Sequence, residues 1–300
     1  MKRKLIFLTT ALIFIISLTS CMLGNSSKPD NSDQPSTPEI PSEPSTPTNP
    51  DKPSTPAKPD KLNGYFFDGT SATSGDGTIE NPYNNLSYIK TLDLNLKHNI
   101  YLKRGSKFRG SIELSNASGT EKDKILITSY GDGELPIIDG NDKVGDAVVS
   151  LKNCNNITIS NLEIFDSSTT EADRRGVLIL GNNPNNNSKI ITYSNITLDG
   201  LYIHDINGIT DKENSGMSAE SKKTGGIHFG SLDGKAKFNN LIIKNCKIKN
   251  VSNVGIASWY KFGSTSNKVS PYSDKFKDTA YTNILIENND ISYIGKNAIF

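Results

Sequence analysis

The stretch NITLDGLYI, residues Asn195–Ile203, decides the fold, because close copies of it recur along the chain. The copies are NITISNLEI at 156–164, NLIIKNCKI at 240–248 and NILIENNDI at 283–291. In each copy apolar and polar residues alternate on both sides of a central Asn or Gly, which predicts two short strands joined by a tight bend. Asn and Gly tolerate the left-handed backbone that such a bend requires.

Each copy is followed, after a loop, by a third short apolar segment. These segments are GVLI at 176–179, GIHF at 226–229, GIAS at 255–258 and NAIF at 297–300. Three short strands per repeat, with a repeat length of roughly 20–50 residues, are typical of a β-solenoid. Inward apolar side chains then stack on their equivalents in the next coil. A β-sandwich is the structural alternative, but it does not require the same residue types at the same place in every copy.

The pattern N-[IL]-x-[IL]-x-[NG]-x-x-I followed by G-[IV] resembles the parallel β-helix repeat of the pectate-lyase-like superfamily. Upstream, GDGT at 75–78 and NPY at 81–83 are similar to the segment that begins such domains in secreted bacterial proteins. The resemblance covers about 64–300. It implies an all-β fold, a right-handed parallel β-helix with three short strands per coil. An amphipathic helix is expected to cap its N-terminal end, from the spacing of Leu86, Ile89, Leu92 and Leu96.

The N-terminal region has the features of an exported lipoprotein. A basic start, 1–4, precedes an apolar run, 5–18, which is too short for a membrane span and is typical of an export signal. LTSC at 18–21 resembles the lipobox of bacterial lipoproteins, which implies that Cys21 carries lipid. An ordinary cleaved signal peptide with a chance Cys is the alternative. The segment 22–61 is rich in Pro, Ser and Thr, has little to bury, and is predicted to form a disordered stalk.

These features divide the chain into a signal peptide with its lipobox (1–21), a stalk (22–61) and a β-helix domain (62–300). We expect the protein in the cell envelope, anchored to the membrane through lipid on Cys21 and facing outside the cytoplasm. Because the sequence stops at Phe300, inside a third strand, we expect the β-helix to be truncated at its C-terminal end.

Charge and cysteine content restrict the partners. The formal net charge is +1, and removal of Lys2, Arg3 and Lys4 with the leader leaves −2, which gives no support to nucleic-acid binding. Cys154 and Cys246 fall at different places in the repeat, so no disulfide is expected. Neither has the spacing of a metal ligand. We expect a monomer.

Long connections flank the third strand of each coil, and loops of this kind build binding grooves on solenoids. They are 166–175, 181–194, 205–225 and 261–281. In the pectate-lyase-like superfamily the saccharide cleft lies on this strand and its loops, so the resemblance implies a cleft here. Strand alternation predicts that Ile227 and Phe229 point into the core and that His228 points outward. His228 would then be a catalytic general base near neutral pH or an ordinary surface histidine.

Aromatic and basic residues near this strand are candidates for substrate binding. Trp259 and Tyr260 can stack on sugar rings, with plain loop packing as the alternative. Arg174 and Arg175 can bind the carboxylate of an acidic sugar. In a β-elimination a base removes the proton beside a uronate carboxylate while a cation stabilises the developing charge, and Lys261 is the candidate cation. Solvated surface charge is the alternative for each of them.

Asp166, Asp205 and Asn250 are predicted to occupy one column, just after the second strand of their coils. Such a column can supply catalytic carboxylates or ligate Ca²⁺. Asp205 is therefore the candidate catalytic residue of a hydrolase, and Ca²⁺ is the candidate cofactor. Asp and Asn also cap backbone groups at bends, and that structural role is the alternative. The spacing of Asp139, Asp142 and Asp146 does not match the EF-hand calcium loop.

These features favour a cell-surface polysaccharide-degrading enzyme. A lyase of uronate-containing glycans is slightly preferred over a glycoside hydrolase, and the preference depends mainly on the resemblance of fold. The alternative is a non-catalytic surface protein that binds glycans or adheres to them, because a long stalk and an Asn-rich solenoid also suit a displayed binding surface.

Overall fold

The computed structural model describes residues 62–95, 99–210, 223–260 and 280–300, without the side chains of Trp259 and Tyr260. The predicted leader, the lipidation site Cys21 and the stalk lie outside the described residues, as do Leu96 and Lys261. No helix within the described ranges has the length and apolar composition needed to cross a lipid bilayer.

The described strands form three parallel sheets, here called A, B and C. Sheet A contains, in spatial order, β1 (Tyr65–Phe67), β2 (Ile100–Lys103), β5 (Ile125–Tyr130), β8 (Ile157–Ser160), β11 (Ile191–Asp199), β14 (Ala236–Lys244) and β17 (Thr282–Glu287). Sheet B contains β3 (Lys107–Arg109), β6 (Ile137–Asp139), β9 (Glu163–Asp166), β12 (Tyr202–Ile206), β15 (Lys247–Val251) and β18 (Asp290–Ile294). Sheet C contains β4 (Ile112–Ser115), β7 (Val149–Lys152), β10 (Arg175–Gly181), β13 (Gly225–Ser231), β16 (Val254–Tyr260) and β19 (Asn297–Ile299).

From β2 onward the chain visits the sheets in the fixed order A, B, C, and each strand pairs with the strand of the same sheet one coil away. This arrangement is a parallel β-helix with three short strands per coil, so the predicted fold class is confirmed. The described connections are uneven: eight residues join β9 to β10 and nine join β10 to β11, whereas two residues join β8 to β9, β11 to β12 and β15 to β16.

The inward rows of the helix are stacks of apolar side chains. In sheet A, Leu198 lies in register with Ile159 in one neighbouring coil and Ile243 in the other. All three side chains are fully buried. Burying such a side chain contributes roughly 1.5–3 kcal/mol. The continuous stack therefore stabilises the fold, and a single coil would not be stable alone.

Two asparagine positions of the repeat adopt the left-handed backbone conformation. At the bend between sheets A and B, Asn161 has φ 55°, Gly200 has φ 65° and Asn245 has φ 54°, as the sequence predicts. The Asn that opens each repeat is also left-handed, and its side chain joins the coils. Asn195 Nδ2 donates to Asn156 Oδ1 at 2.7 Å, and Asn240 Nδ2 donates to Asn195 Oδ1 at 2.8 Å.

The predicted N-terminal helix is present, but it is a short 3₁₀ helix, Leu86–Thr91. Leu86 and Ile89 are buried against the core, and the Asn85 side chain accepts a hydrogen bond from the Ser87 backbone N–H. Leu92 already has an extended backbone, so the helix ends before it. The three-residue spacing of these apolar positions fits a 3₁₀ helix, which has three residues per turn.

Cys154 and Cys246 are free thiols and both are buried. Burial raises the pKa of each thiol to about 11. A buried thiol with a raised pKa holds its proton and is a poor nucleophile, so both cysteines act as small apolar residues of the core.

Candidate functional site

The predicted cleft on sheet C is covered at its central histidine. Ile227 and Phe229 point into the core and His228 points to the other side of the strand, as alternation predicts. The His228 side chain is nevertheless fully buried, in a row between Leu178 and Ala257, which are also buried. The expectation that His228 lies accessible in a groove is therefore wrong. Alternation defines the side of a strand, and it does not define what packs on that side.

The environment of His228 opposes its predicted role as a base. Burial and the nearby Arg175 charge lower the pKa of His228 to about 3. The Thr224 backbone partly offsets this shift, although neither ring nitrogen makes a hydrogen bond of normal geometry within the described residues. An inaccessible imidazole with so low a pKa does not accept a proton from a substrate near neutral pH.

The two arginines predicted to bind substrate lie inside the loop packing. Arg174 is 1% exposed and donates to the carbonyl oxygens of Thr170 at 2.7 Å and Asn207 at 2.9 Å. It also donates to the carboxylate of Asp142.

Arg175 is 4% exposed and donates to Asp173 Oδ1 at 2.6 Å, to the Asp146 carbonyl oxygen at 3.2 Å and to the Lys223 carbonyl oxygen. The donors of both guanidinium groups thus connect loops of neighbouring coils. The arginines are not at the groove surface where the sequence led us to expect them.

Three predicted site residues are not tested by the described structure. Trp259 and Tyr260 lie at the end of β16, but their side chains are outside the description, as is the whole of Lys261. Their roles in sugar stacking and charge stabilisation stay predictions.

Asp166 does not belong to the predicted acidic column. A one-residue register shift in β12 places Asp166 opposite Ile206 and leaves Asp205 without a counterpart in β9. Asp166 is fully buried, and its Oδ1 accepts hydrogen bonds from the backbone N–H groups of Asp142 at 2.9 Å and Lys143 at 3.2 Å. Burial raises its pKa despite these bonds. Asp166 therefore caps backbone N–H groups at a bend, which is the structural alternative to a catalytic or calcium-binding role.

The column that does exist consists of Asp205, Asn250 and Tyr293, and we call it the left-handed ridge. These residues have φ 50°, 54° and 54°, on three successive strands of sheet B. The Asn250 side chain donates to Asp205 Oδ1. Asp and Asn tolerate this backbone conformation, whereas for a bulky residue it is an outlier that costs on the order of 1–2 kcal/mol.

Asp205 is joined to a second carboxylate through an imidazole. His204 Nδ1 lies 2.6 Å from Asp205 Oδ2, and His204 Nε2 lies 3.1 Å from Glu163 Oε1. Both contacts are hydrogen bonds when both ring nitrogens carry protons. The imidazole stacks between two rings, with its centroid 4.4 Å from that of Tyr202 and 5.5 Å from that of Phe165.

The Asp205 carboxylate is accessible and ionised. Its side chain is 42% exposed. Partial burial raises its pKa, but the hydrogen bonds from His204 and Asn250 and the charges of His204 and Lys249 outweigh that effect, so the pKa is lowered overall. Such a group accepts hydrogen bonds from hydroxyls or acts as a base, and it is not suited to the role of general acid.

A recess lies on each side of the left-handed ridge, and the ridge residues line both. The larger, of about 400 Å³, has a mixed lining, with polar residues such as Ser168, Asn207 and Ser252 beside the apolar Ile206, Val251 and Ile294. The smaller, of about 310 Å³, lies on the outer face of sheet B. We call the smaller one the sheet B recess; its lining residues are Tyr202, His204, Asp205, Lys249, Asn250 and Tyr293.

At the left-handed ridge the described residues supply the accessible ionised carboxylate of Asp205, but not a complete pair for glycoside hydrolysis. Such a pair needs a carboxyl with a raised pKa as the acid. Within the described ranges the Asp whose pKa is raised is Asp166, which is inaccessible. No group of three or more His, Cys, Asp or Glu side chains placed to hold a metal ion occurs in residues 62–95, 99–210, 223–258 or 280–300.

Sequence reasoning missed His204, Glu163 and Tyr293, although two simple signals mark them. Alternation places Tyr202 and His204 on the outer face of β12, and Glu163 lies opposite Tyr202 in the neighbouring coil. Tyr293 follows the last Ile of its repeat by two residues, as Asp205 and Asn250 do in theirs. The position two residues after the last Ile of the repeat therefore predicts the column in all three coils, including that of Tyr293.

Comparison with known proteins finds similarity to lacto-N-biosidases. No family model matches it. A lacto-N-biosidase of Bifidobacterium longum subsp. longum is 27% identical over 307 aligned positions, which cover 76% of this chain and 18% of that protein. The crystal structure of native GH136 lacto-N-biosidase from Eubacterium ramulus superimposes with a TM-score of 0.59 at 24% identity, covering 75% of this chain and 40% of that one.

The selenomethionine form of the Eubacterium ramulus enzyme gives a TM-score of 0.61 at 25% identity, with 79% of this chain and 43% of that chain covered. The chain thus spans about a fifth of the length of its curated relative and about two fifths of the solved structures. These likenesses agree with the parallel β-helix described above.

Proposed function

We propose that this chain is part of a glycan-degrading enzyme, a glycoside hydrolase. The observation that carries the proposal is the match to lacto-N-biosidases over about three quarters of the chain, in both sequence and fold. The accessible Asp205 carboxylate beside two recesses adds a place where a polyhydroxylated ligand can bind. The substrate and the full catalytic apparatus belong to the proposal, since the match covers only part of each relative.

The preference for a lyase has no support. A lyase needs a base and a cation beside a uronate. His228 is buried with a lowered pKa, and the donors of Arg174 and Arg175 are engaged with the loops. The relatives are glycoside hydrolases by name. A hydrolase is therefore the better proposal for the same fold.

We assign Asp205 the task of holding a sugar hydroxyl. An ionised carboxylate accepts strong hydrogen bonds from hydroxyl groups. The neighbouring Asn250 amide and Lys249 ammonium supply donors on the same recess.

The test is a screen of the purified full chain against neutral and uronate polysaccharides and a substrate of lacto-N-biosidases. New reducing ends without ultraviolet-absorbing products are the expected result. Asp205→Asn should weaken the reaction, and Asp139→Asn, on the same sheet and two coils from Asp205, is the matched control. Ultraviolet-absorbing unsaturated products would establish a lyase and overturn the proposal. Glycan binding without any product would favour the non-catalytic surface protein.

We further propose that the protein is exported and anchored through lipid on Cys21, with the segment 22–61 as the spacer. The basic start, the short apolar run and the sequence LTSC at 18–21 support this proposal. Expression in a bacterium fed labelled fatty acid should give a labelled protein in the membrane fraction. The Cys21→Ser variant should lose the label and become soluble, and a variant that stays in the membrane without label would contradict the anchor.

A further inference from the structure

We infer that His204 is a positioning residue, which holds the Asp205 carboxylate in the orientation needed to accept a hydrogen bond from a sugar hydroxyl, and that Glu163 anchors His204. The inference rests on the proposed function in one respect, namely the assignment of a sugar hydroxyl to Asp205. The three residues lie on β9 and β12, and each of these strands is paired with a neighbouring strand on both sides.

The His204 ring is held at both edges and on both faces. Its Nδ1 lies 2.6 Å from Asp205 Oδ2, and its Nε2 lies 3.1 Å from Glu163 Oε1. The ring stacks between Tyr202 and Phe165, with interplanar angles of 26° and 24°. Its side chain is 15% exposed. A ring held on four sides has little freedom to turn, so the direction of the Nδ1 contact is set before a ligand arrives.

A backbone irregularity brings His204 and Asp205 into contact. Adjacent residues of a regular strand point to opposite faces of the sheet. Here the register shifts between His204 and Ile206, and Asp205 has a left-handed backbone with φ 50°. An extra residue of this kind re-aims a side chain, and such irregularities are over-represented next to active sites. The contact between the imidazole and the carboxylate is therefore a local feature of this coil and not a product of the regular repeat.

The neighbouring coils show that this place in the sheet does not require a histidine. Phe165 of β9 and Lys249 of β15 lie in register with His204. Phe165 can stack but donates no hydrogen bond, and Lys249 can donate but has no ring. An imidazole does both, and its two ring nitrogens can bond to two carboxylates at once. The particular contribution of His204 is thus the link between Glu163 and Asp205.

The link leaves Asp205 able to bind a ligand. One carboxylate oxygen accepts a hydrogen bond from the Asn250 amide, and the other faces His204. An ionised carboxylate has about four acceptor positions, so positions remain for a hydroxyl. Burial raises the pKa of Asp205, but the hydrogen bonds from His204 and Asn250 and the charges of His204 and Lys249 lower it overall. Asp205 is therefore an ionised acceptor with a fixed orientation, and a ligand does not have to order it on binding.

The test compares two amide replacements of His204 in the purified full chain. The amide nitrogen of Asn can take the place of Nδ1, and that of Gln can take the place of Nε2. His204→Asn therefore keeps a donor towards Asp205, whereas His204→Gln keeps one towards Glu163. The probes are lactose, cellobiose, maltose and xylobiose, in ligand-observed NMR titrations. At least one should bind the wild type, His204→Gln should bind it about three- to ten-fold more weakly, and His204→Asn should stay closer to the wild type.

A double variant shows whether His204 acts through Asp205. Asp205→Asn alone should weaken binding about ten-fold. Adding His204→Gln to it should weaken binding no further, because a positioning residue has no effect once the group that it holds is changed. Asp139→Asn, on the same sheet and two coils away, is the control and should bind like the wild type.

Urea unfolding of every chain separates positioning from a loss of folding. We expect His204→Asn and His204→Gln to unfold at similar urea concentrations, so that their difference in binding does not come from stability. If either amide variant does not fold, His204→Phe takes its place, since it keeps the stacking that Phe165 supplies in the neighbouring coil. His204→Phe should then fold like the wild type and bind about three- to ten-fold more weakly.

Four results would overturn the inference. They are binding by His204→Asn that is no stronger than binding by His204→Gln, additive losses in the double variant, unchanged binding in a folded His204→Phe, and absence of binding by the wild type to every probe. Hydrolysis of the polysaccharide panel is followed with the same chains. The expected binding pattern without hydrolysis by any chain contradicts the proposed enzyme and not the role of His204. Hydrolysis that is lowered by Asp205→Asn but unaffected by His204→Gln contradicts the role of His204 and not the enzyme.

Discussion

The buried His228 should make the protein less stable as the pH falls from neutral to 5. In the folded chain burial lowers the pKa of His228 to about 3, whereas in the unfolded chain it has its ordinary value near 6.5. Between these two values the unfolded state binds a proton that the folded state does not. Acidification therefore favours unfolding, and the free energy of unfolding decreases by up to about 1.4 kcal/mol per pH unit.

The size of this stability change follows from the pH range in which His228 is protonated only in the unfolded chain. From pH 7.5 to pH 5 the contribution of His228 is about 2 kcal/mol. Asp68 and Glu113 also have shifted pKa values. Burial raises them, but the lysine partners and hydroxyl contacts outweigh burial and lower both to about 2. The stability that these ionised carboxylates contribute is lost only as the pH falls below their ordinary pKa values of 3.8 and 4.5. They do not contribute appreciably above pH 5. In this window the effect of His228 is therefore separated from theirs.

The assay compares the wild type with His228→Leu in urea unfolding followed by circular dichroism at several pH values between 5 and 7.5. Leu is the matched replacement because Leu178 occupies the same row in the neighbouring coil. The difference in stability between the two chains should change by about 2 kcal/mol over this range in favour of the variant at low pH. If the two chains lose stability in parallel, the imidazole is not buried in its neutral form and the reasoning is refuted.

Three further substitutions test the packing of the coils, all by urea unfolding. Leu198→Ala removes a fully buried side chain from an inward row and should cost about 2–5 kcal/mol; a loss below 1 kcal/mol would mean that the row is loosely packed. Asn195→Ala breaks a side-chain hydrogen bond to each neighbouring coil at φ 61° and should destabilise by about 1–3 kcal/mol, more than Asn195→Gly, and the reverse order would contradict a backbone effect. Gly225→Ala places a Cβ 2.1 Å from the Val254 carbonyl oxygen at φ 131° and should cost more than 1 kcal/mol, whereas Gly133→Ala, at φ 111° with open space around it, controls for the backbone conformation alone.

The fold could be predicted because equivalent residues of successive repeats stack in register with one another. Ile157, Ile196 and Leu241 occupy the same place in three copies and lie in register in sheet A. The pattern therefore determines which residues stack, and the bend residues determine where the strands turn. The extent of the 3₁₀ helix was not predicted, since its apolar spacing also suits an α-helix.

The site was predicted less well because it depends on packing between loops and on a single register shift. The sequence identifies the side of β13 from which His228 projects, but not that this side is buried. The extra residue at Asp205 moves Asp166 out of the column, and no pattern in the two segments reveals it. Asp205 was selected for its position after the second strand, while its imidazole partner His204 follows from alternation along β12.

The parallel stacking fixes the distance between equivalent side chains along the axis of the solenoid. Neighbouring strands lie roughly 4.8 Å apart, so Asp205, Asn250 and Tyr293 mark equal steps along that axis. Exchange of residues between equivalent places in two coils would move a functional group by one such step with little sideways displacement. For the proposed glycan ligand, selectivity for chain length can therefore change in discrete increments, through substitutions that leave the core untouched.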